Sequence, residues 1–458
     1  MSTRFIVVGA DAAGMSAASE ARRVDPGLNI IAYDRGGYAS YSQCGLPYLV
    51  GNVVSNHQRL IARSVTEFAE RGIAVHLGHE VTAVDPMRHV LQVRDSQGTE
   101  TEQGYDQLLL ATGASPIPPV IPGLDLDGVF HLDVMEDGLA IRTYIQKYQP
   151  KRAVIIGGGY IGLEMAENLQ RLGLAVALVQ RGPQVFPSVD VGITLPINEE
   201  LARHGVDVSM CESVVEACGG ADGRVAEVQT SQGPIPADVV LVATGVRPST
   251  ALAEAAGIDL GVNGAIAVDD HQRTSAPDVF AAGDCAEHWH RLLRRPTWIP
   301  LGTTANKQGR IAGRNAAGGD ETFAGIVGTA VVRVFDLEVG RTGLTEREAA
   351  AAGLSCMVTS LDSTDYAGYL PGARALTVKL VTEQGTGRLL GGQAVGYGGV
   401  AKRIDVLATA LYADMTVDEL TRLDLAYAPP FNSVWDPIQV AATKLLRQGA
   451  TDRPGDGR

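Results

Sequence analysis

The chain has 458 residues, which is too long for one ordinary hydrophobic core, so two or three domains are expected. Its 54 glycines, with 45% hydrophobic and 20% charged residues, are typical of an α/β protein with many tight turns and exclude a fibrous or disordered chain. The formal net charge of -14 argues against nucleic acid as a partner, because binding a phosphate backbone needs a basic surface.

The N-terminal residues, MSTRFIVVGADAAG, contain only a short apolar run, unlike the hydrophobic segment of a signal peptide. No stretch approaches the roughly 20 apolar residues that span a bilayer. We therefore expect a cytoplasmic protein without a membrane partner. The five cysteines are scattered and odd in number, which does not indicate a disulfide framework, and no cluster of Cys and His indicates a metal site.

The first predicted elements form a βαβ unit. The segment RFIVVGADAAGMSAASEARR runs from a strand through a glycine turn into an amphipathic helix, and the strand NIIAYDR follows. This pattern is typical of a dinucleotide-binding fold, in which the helix N-terminus faces a pyrophosphate. Gly9 and Gly14 hold the outer glycine positions, whereas Asp11 stands at the middle one. Asp34, at the end of the second strand, is placed to accept hydrogen bonds from a ribose.

A single cysteine, Cys44, follows in the segment SYSQCGLPY. Because proline is favoured in the first turn of a helix, Pro47 places the sulfur at a helix N-terminus, where partial positive charge favours the thiolate. The helix contributes only about 0.3–1 kcal/mol, so another group must supply the rest. The alternative is a small buried hydrophobic residue, which is the common role of a free cysteine.

No cysteine near Cys44 in the sequence can pair with it, since the next is Cys211. Its oxidised partner is expected to be a substrate sulfur or an oxygen, which leaves a mixed disulfide and a sulfenic acid as alternatives. We interpret Cys211, Cys218 and Cys356 as packing residues and assign no chemistry to Cys285.

The segment RAVIIGGGYIGLEMAENLQRLG, followed by AVALVQR, repeats the βαβ pattern. Gly157, Gly159 and Gly162 complete the GxGxxG motif and predict a second dinucleotide site. The ribose position holds Gln180, and Arg181 comes next. Without a carboxylate there, a 2′-phosphate is not repelled, and Arg181 could pair with one, so the sequence favours NADPH over NADH.

Two further segments, QLLLATGASPIPP and VVLVATGVRPST, each end a buried strand in Ala-Thr-Gly and then break at proline. We interpret them as crossings between nested domains: the first domain begins, is interrupted by the second, and resumes after Arg247. From about Phe323 onward, strands and then helices indicate a separate α+β domain. The tail, residues 448–458, is expected to be disordered.

Several segments together resemble the pyridine nucleotide-disulfide oxidoreductases that carry a single redox cysteine, most closely the coenzyme A-disulfide reductases. They are SYSQCGLPY, LLLATGASP, GGGYIGLEMAEN, VFAAGDCAE, PLGTTANKQGRIAGRNAAGG, GTAVVRVFDLEVGRTGLTE, AGYLPGA and LAYAPPF. The resemblance implies an α/β fold with two nested Rossmann-like dinucleotide-binding domains and a C-terminal α+β dimerisation domain. FAD is expected in residues 1–115 and 248–322, a nicotinamide nucleotide in 116–247, and a dimer interface in 323–447.

The resemblance also implies a reaction in which NAD(P)H reduces FAD, and FAD reduces a mixed disulfide of Cys44 with coenzyme A. Tyr369 and Tyr427 would reach toward Cys44 from the other subunit of a homodimer, one of them protonating the departing thiolate. Tyr160 would cover the flavin, and Asp284 would hold its ribityl chain. The other residues expected to contact the two nucleotides are Ala10, Ala12, Ala13, Arg35, Val81, Ala111, Thr112, Gly113 and Ile161.

The first helix contributes to the expected substrate site. Ser16, Glu20 and Arg23 recur at helical spacing on one face and match positions that line the coenzyme A site in the resembling family. Arg23 could pair with a phosphate, although an ordinary exposed polar face has the same pattern. The other matching positions are Ser40, Gln43 and Asn306, of which Gln43 replaces the usual asparagine.

Three alternatives remain. An NADH oxidase or peroxidase would cycle its cysteine through a sulfenic acid; such enzymes carry a histidine in the first glycine turn where this chain has Ala12, so we favour disulfide reduction. A persulfide or polysulfide reductase often has an appended rhodanese domain, which these 458 residues do not include. A catalytically idle redox sensor is disfavoured because the second glycine turn, the cysteine and both tyrosines occur together.

Overall fold

A computed structural model describes residues 3–451 and the side chains of residues 3–448. The elements up to residue 116 are β1 (Arg4–Val8), α1 (Ala12–Val24), β2 (Asn29–Asp34), α2 (Leu46–Val50), α3 (Val65–Ala69), β3 (Ile73–Leu77), β4 (Glu80–Asp85), β5 (Val90–Arg94), β6 (Glu100–Gly104), β7 (Gln107–Leu110) and β8 (Ala114–Pro116).

The elements between residues 117 and 248 form the second unit. They are β9 (Val129–Phe130), α4 (Met135–Tyr148), β10 (Arg152–Ile156), α5 (Tyr160–Arg171), β11 (Ala175–Gln180), α6 (Val191–Arg203), β12 (Asp207–Met210), β13 (Val214–Gly219), β14 (Val225–Thr230), β15 (Gly233–Pro236), β16 (Val239–Val242) and β17 (Val246–Pro248).

The remaining elements complete the first unit and then build a third. They are α7 (Ala251–Ala255), β18 (Val279–Ala281), β19 (His288–His290), β20 (Arg295–Thr297), α8 (Gly302–Ala316), β21 (Ala330–Val334), β22 (Leu337–Gly343), α9 (Glu346–Ala351), β23 (Cys356–Thr364), β24 (Ala375–Glu383), β25 (Leu389–Gly396), α10 (Val400–Tyr412), α11 (Val417–Thr421) and α12 (Pro437–Thr451).

Two parallel five-stranded sheets carry the two glycine turns. The first has the strand order β18-β7-β1-β2-β3 and the second the order β12-β11-β10-β16-β9. Their central strands, β1 and β10, are buried runs of β-branched residues, as expected for strands covered on both faces. Because β18 joins the first sheet after the whole second sheet has been built, the two units are nested in the chain. The predicted fold class is confirmed.

The two chain crossings between these units lie side by side. β8 and β17 form a two-stranded antiparallel sheet in which Ser115 is paired with Arg247. The two chain segments that connect the first unit to the second therefore run side by side, each directly after an Ala-Thr-Gly segment. The domain limits given above remain predictions.

Helices α1 and α8 pack closely against each other on the first sheet. A Cβ at Gly309 would lie 2.1 Å from the backbone oxygen of Ala13, and one at Gly313 would lie 2.1 Å from that of Ala17. Only glycine fits at these two positions, one helical turn apart. The close approach brings a polar residue of α8 against α1.

The third unit is an antiparallel sheet with the order β21-β22-β25-β24-β23, whose apolar side chains pack against α10 and α12. Several apolar side chains of this unit are exposed in a single chain, among them Tyr369 at 73% and Phe431 at 74%. α12 extends to Thr451, whereas the sequence predicted a disordered tail from residue 448. Residues 452–458 of that predicted tail lie outside the described residues.

Among residues 3–451, no helix combines the length and the apolar character needed to cross a membrane.

Candidate active site

The first glycine turn connects β1 to α1 and is packed against the backbone that follows β7. Gly9 has a φ of 104°, and a Cβ there would lie 2.1 Å from the backbone oxygen of Ala111. The carboxylate of Asp34 accepts hydrogen bonds from the backbone N–H groups of Ala10 at 2.7 Å and Gly36 at 2.8 Å. The acid at the end of β2 thus orders the turn itself.

Asp11, the residue at the middle position of this turn, is directed toward the loop that carries the cysteine. Its Oδ1 accepts a hydrogen bond of 3.0 Å from the backbone N–H of Tyr41. Its side chain forms no capping hydrogen bond to α1, although the N–H of Ala12, the first helical residue, lowers its pKa. The following N–H groups of the helix are therefore left for another partner. Burial raises the pKa of Asp11 to about 7, with smaller contributions from Asp34 and Asp284.

A buried acceptor marks the expected flavin site. Oδ1 of Asp284 is buried and has no hydrogen-bond partner among the described residues. Burial, followed by the charge of Asp133, raises the pKa of Asp284 to about 6. An unpaired buried carboxyl oxygen is unfavourable unless a donor fills the space beside it, and a cofactor hydroxyl is such a donor. The turn at Gly9 and the uncapped start of α1 complete a site that fits FAD.

The other residues assigned to the first nucleotide lie around the same sheet end. Ala12 and Ala13 open α1, and Arg35 directly follows β2. Val81 lies on β4 and is buried. The strand β7 leads into Ala111, Thr112 and Gly113, of which Thr112 donates to the backbone oxygen of Ser249 at 2.6 Å.

The second glycine turn repeats the geometry of the first. Gly157 has a φ of 108°, and a Cβ at Gly162 would lie 2.0 Å from the backbone oxygen of Gly157. A Cβ at Gly159 would meet nothing within 4 Å, so this face is open to a ligand. Gln180 accepts a hydrogen bond of 3.0 Å from the N–H of Gly158, as Asp34 does from Ala10. The two βαβ units therefore share one side-chain bond at the same position.

Some of the predicted residues around this second turn pack against other side chains, and others are exposed. Tyr160 and Ile161 open α5, and the ring of Tyr160 packs edge-on against Phe186, with a centroid distance of 4.7 Å. Arg181 is exposed next to Gln180. A phosphate could reach it from solvent.

Cys44 lies in a single 3-10 turn, Gln43–Gly45, immediately before α2. The expected position at a helix start is present, and the side chain is exposed. The pKa of the thiol is nevertheless raised, mainly by desolvation from neighbouring protein and then by the charges of Glu164 and Asp284. The chain alone therefore does not favour the thiolate, because a helix of five residues has less effect than these groups.

Glu164, in the second turn of α5, was not among the predicted site residues. Burial raises its pKa to about 7, with a further contribution from Glu167. It is the charged group with the largest effect on the Cys44 thiol. Its signal in the sequence was an acid two residues after Gly162, the last glycine of the second motif, within the quoted segment GGGYIGLEMAEN.

Four of the six predicted substrate residues come together around a cavity of about 750 Å³. They are Ser16, Arg23, Ser40 and Asn306. Ser16 and Asn306, on α1 and α8, are joined by a hydrogen bond of 2.6 Å. Asp11 and Ala12 also line this cavity.

Three further cations line the cavity and were missed from the sequence. They are Arg63, Lys307 and Arg310. Arg310 lies one helical turn after Asn306, which was the available signal. Together with Arg23 they give this part of an acidic protein a positive lining.

The other two predicted substrate residues lie outside the cavity lining. Glu20 is buried and forms ion pairs with Arg23 and, at 3.2 Å, with Arg314. A buried carboxylate requires paired charges, and Glu20 finds them in one guanidinium on each of the two helices α1 and α8. Gln43 is exposed beside Cys44.

Tyr369 and Tyr427 are brought together although 58 residues separate them in the sequence (427 − 369). A hydrogen bond with Tyr427 is the larger cause that raises the pKa of Tyr369. Both side chains are exposed in the single chain, at 73% and 47%.

Of the other four cysteines, a packing role was predicted for Cys211, Cys218 and Cys356, and only Cys211 departs from it. Cys285 is fully buried, with its sulfur 3.4 Å from the backbone oxygens of Leu110 and Ala282. Cys218 and Cys356 are half-buried on strands. Cys211 is exposed, so its prediction as a packing residue was wrong: it follows β12 in a turn with a φ of 53°.

Comparison with known proteins matches two family models to the chain. The model described as pyridine nucleotide-disulphide oxidoreductase matches residues 3–309. The model described as the dimerisation domain of the pyridine nucleotide-disulphide oxidoreductases matches residues 329–437.

Individual relatives match over nearly the whole length. The chain is 39% identical to the NAD(P)H coenzyme A polysulfide/persulfide reductase of Pyrococcus horikoshii, covering 97% of this chain and 99% of that protein. It is 34% identical to the NADH oxidase of Methanocaldococcus jannaschii, again covering 97% and 99%. The crystal structure of reduced CoADR-RHD of Bacillus anthracis has a TM-score of 0.95 at 34% identity, covering 98% of this chain and 81% of that one.

Proposed function

The chain belongs to the pyridine nucleotide-disulphide oxidoreductase family, and on that premise we propose that it reduces coenzyme A disulfide through Cys44. Membership makes it an NAD(P)H-dependent flavoprotein oxidoreductase, and the dimerisation domain supports a homodimer. The proposed reaction converts NAD(P)H, a proton and CoA-S-S-CoA into NAD(P)+ and two molecules of CoA thiol.

The observation that carries the choice of substrate is the positive cavity. Arg23, Arg63, Lys307 and Arg310 line it in a chain of net charge -14. Coenzyme A brings several phosphate charges, which such side chains bind by charge-assisted hydrogen bonds. Cys44 itself is not among the residues that line this cavity. Ser40, which does line it, precedes Cys44 by four residues, so the proposed ligand would extend from the cavity along this loop to bring its disulfide to the sulfur.

The cofactors supply electron transfer. FAD, when bound, passes an electron pair from the nicotinamide to a sulfur. The residues that would hold it are Asp34, Asp284 and the start of α1, whereas Gly159 and Arg181 would face the nicotinamide nucleotide. The exposed guanidinium of Arg181 and the missing carboxylate at Gln180 favour NADPH over NADH.

The sulfur step uses the residues of this chain. The Cys44 thiolate attacks one sulfur of CoA-S-S-CoA, the original S–S bond breaks, and a mixed disulfide forms while one CoA thiolate leaves. Tyr427 or Tyr369, supplied by the second subunit, gives that thiolate its proton. The raised pKa of Tyr369 means that this hydroxyl holds its proton at neutral pH.

Mass spectrometry of the intact purified protein tests the proposal. We expect an adduct of coenzyme A mass that disappears in Cys44→Ser and remains in Cys356→Ser, together with loss of NADPH-dependent CoA-disulfide reduction in Cys44→Ser alone. Full activity of Cys44→Ser would contradict the proposal. So would a Cys44 that carries only an oxygen adduct and never a coenzyme A adduct, whether the protein is purified oxidised or reduced.

A second candidate is persulfide or polysulfide reduction, favoured by the relative of that name at 39% identity. The same cavity and cysteine would serve it. Steady-state rates with CoA disulfide and with CoA persulfide, each measured with NADPH, separate the two. An oxidase is less well supported, because Ala12 gives no acid–base group beside Cys44.

A further inference from the structure

Arg403 on α10 is fully buried inside the dimerisation domain. Its Nε lies 3.3 Å from the carboxylate of Asp436. Its Nη2 donates to Oδ1 of Asn432 and to the backbone oxygen of Asp365, both at 3.0 Å, and its Nη1 donates to the backbone oxygen of Gly399 at 3.1 Å. Burial of a guanidinium is unfavourable unless its donors are paired, so these partners determine where it lies.

One partner of Arg403 closes the loop that carries Tyr369, residues 365–374. The backbone N–H of Asp365 donates to the oxygen of Arg374 at 3.0 Å. In return, Oδ1 of Asp365 accepts from the backbone N–H groups of Arg374 at 2.9 Å and Tyr366 at 3.0 Å. The carbonyl bound by Arg403 is therefore the closing point of this first loop.

A second partner of Arg403 fixes the loop that carries Tyr427, residues 426–436. Nδ2 of Asn432 donates to the backbone oxygen of Ala426 at 3.3 Å and to Oδ2 of Asp436 at 2.8 Å. Asn432 thus joins the residue directly before Tyr427 to the guanidinium.

The two loops also touch each other directly. The backbone N–H of Ala367 donates to the oxygen of Pro429 at 3.2 Å. Tyr427 is also the residue with the largest effect on the pKa of Tyr369, which it raises. The partners of Arg403 link the same two loops, because Asp365 lies on the first loop and Asn432 and Asp436 lie on the second.

We propose that Arg403, through Asp365 and Asn432, is a positioning residue that holds the Tyr369 and Tyr427 loops in one arrangement. The inference rests on the proposed function, in which one of these hydroxyls protonates a departing thiolate. Proton transfer requires the hydroxyl within hydrogen-bond distance of the sulfur, so a loop that moves loses rate even when both tyrosines are present. Lysine cannot replace Arg403, because the planar guanidinium directs separate N–H donors to the two loops and a single ammonium group cannot reach both.

The test uses the flavin-loaded dimer and two variants, Arg403→Lys and Asn432→Ala, the second of which leaves the buried ion pair intact. Lys402→Met, at the exposed neighbouring position, is the control. Stopped-flow measurements follow flavin reduction by NADPH and its reoxidation by CoA disulfide separately. We expect unchanged reduction and reoxidation slowed about 10- to 100-fold in both variants, with no further loss when Tyr427→Phe is added.

A second readout is independent of turnover. Titration of 13Cζ-labelled tyrosines by NMR reports the hydroxyl pair, and we expect the raised pKa of Tyr369 to fall toward its ordinary value in Asn432→Ala but not in Lys402→Met. An unchanged titration, wild-type reoxidation, or an equal loss in both half-reactions overturns the inference. Normal turnover of Tyr427→Phe would instead overturn the proposed proton donor, and the titration alone would then decide the role of Arg403.

Discussion

The backbone N–H of Tyr41 donates a hydrogen bond of 3.0 Å to the carboxylate of Asp11. This bond ties the first glycine turn to the loop that carries Cys44. The acid at the middle position of the turn therefore binds the protein backbone, and it forms no capping hydrogen bond to α1.

Asp11→Asn is expected to change how stability depends on pH. Burial raises the pKa of Asp11 from 3.8 to about 7, so the folded protein binds a proton that the unfolded chain releases. Stability conferred by that proton is complete below pH 4 and is lost as the pH rises to about 7, with an upper bound of about 4 kcal/mol. Between about pH 4 and pH 7 the Tm should therefore decline less in Asp11→Asn than in wild type or in the exposed control Asp207→Asn. Parallel curves would contradict the assignment.

Glu164→Gln is expected to make Cys44 a better nucleophile. The charge of Glu164 raises the pKa of the thiol, so its removal increases the thiolate fraction near neutral pH. We expect alkylation of Cys44 by iodoacetamide to accelerate about two- to tenfold because a larger fraction of the thiol is ionised. The exposed control, Glu199→Gln, should react as wild type does. A slower reaction in Glu164→Gln would show that the acid assists the thiol.

Arg181→Glu is expected to shift the coenzyme preference toward NADH. The exposed guanidinium would lose its attraction for a 2′-phosphate and be replaced by a repelling carboxylate. The ratio of kcat/KM for NADPH to that for NADH should fall at least about tenfold, the effect of roughly 1.4 kcal/mol. Lys151→Glu, a surface change elsewhere in the second unit, controls for net charge. An unchanged ratio would mean that Arg181 does not contact the phosphate.

Tyr427→Phe is expected to slow the release of CoA thiolate. The variant keeps the ring and loses only the proton donor, so flavin reduction by NADPH should stay nearly intact while CoA-disulfide turnover falls about 10- to 100-fold. Half-reaction kinetics measure the two steps, and Tyr148→Phe on α4 is the control. Wild-type turnover would remove the assigned role.

Lys307→Met is expected to weaken substrate binding without affecting the nicotinamide step. Loss of one cation from the cavity should raise KM for CoA disulfide about three- to tenfold and reduce its dependence on salt. KM for NADPH should not change, and Lys151→Met should leave both values at those of wild type. An equal KM in Lys307→Met and wild type would place the phosphates elsewhere.

Local sequence rules identified the parts of the site that local geometry determines. Both glycine turns, the position of Cys44 before a helix and the nesting of the two sheets follow from short patterns. The pattern also placed Ser16, Glu20 and Arg23 on one face of α1. It could not show that Glu20 is directed to Arg314, because Arg314 lies on α8, 294 residues further along the chain.

The lining cations show the same limit. Arg63 lies in a loop and Arg310 on α8, and only the packing of α8 against α1 brings them to one cavity. The buried cluster at Arg403 was likewise invisible, since its partners come from three separated segments. The raised pKa of Cys44 differed from expectation because desolvation by surrounding protein and the charge of Glu164, on α5, come from residues distant in the sequence. The helix N-terminus was the only influence readable from neighbouring residues.

The pairing of β8 with β17 places the point where the chain leaves the first unit beside the point where it returns. Because the two connections of the inserted unit lie next to each other in space, the unit can be exchanged as a whole by recombination at these two positions. If the second unit binds the nicotinamide nucleotide as proposed, recombination between relatives at these two points would exchange the coenzyme preference and keep the proposed sulfur chemistry and subunit contact of the host.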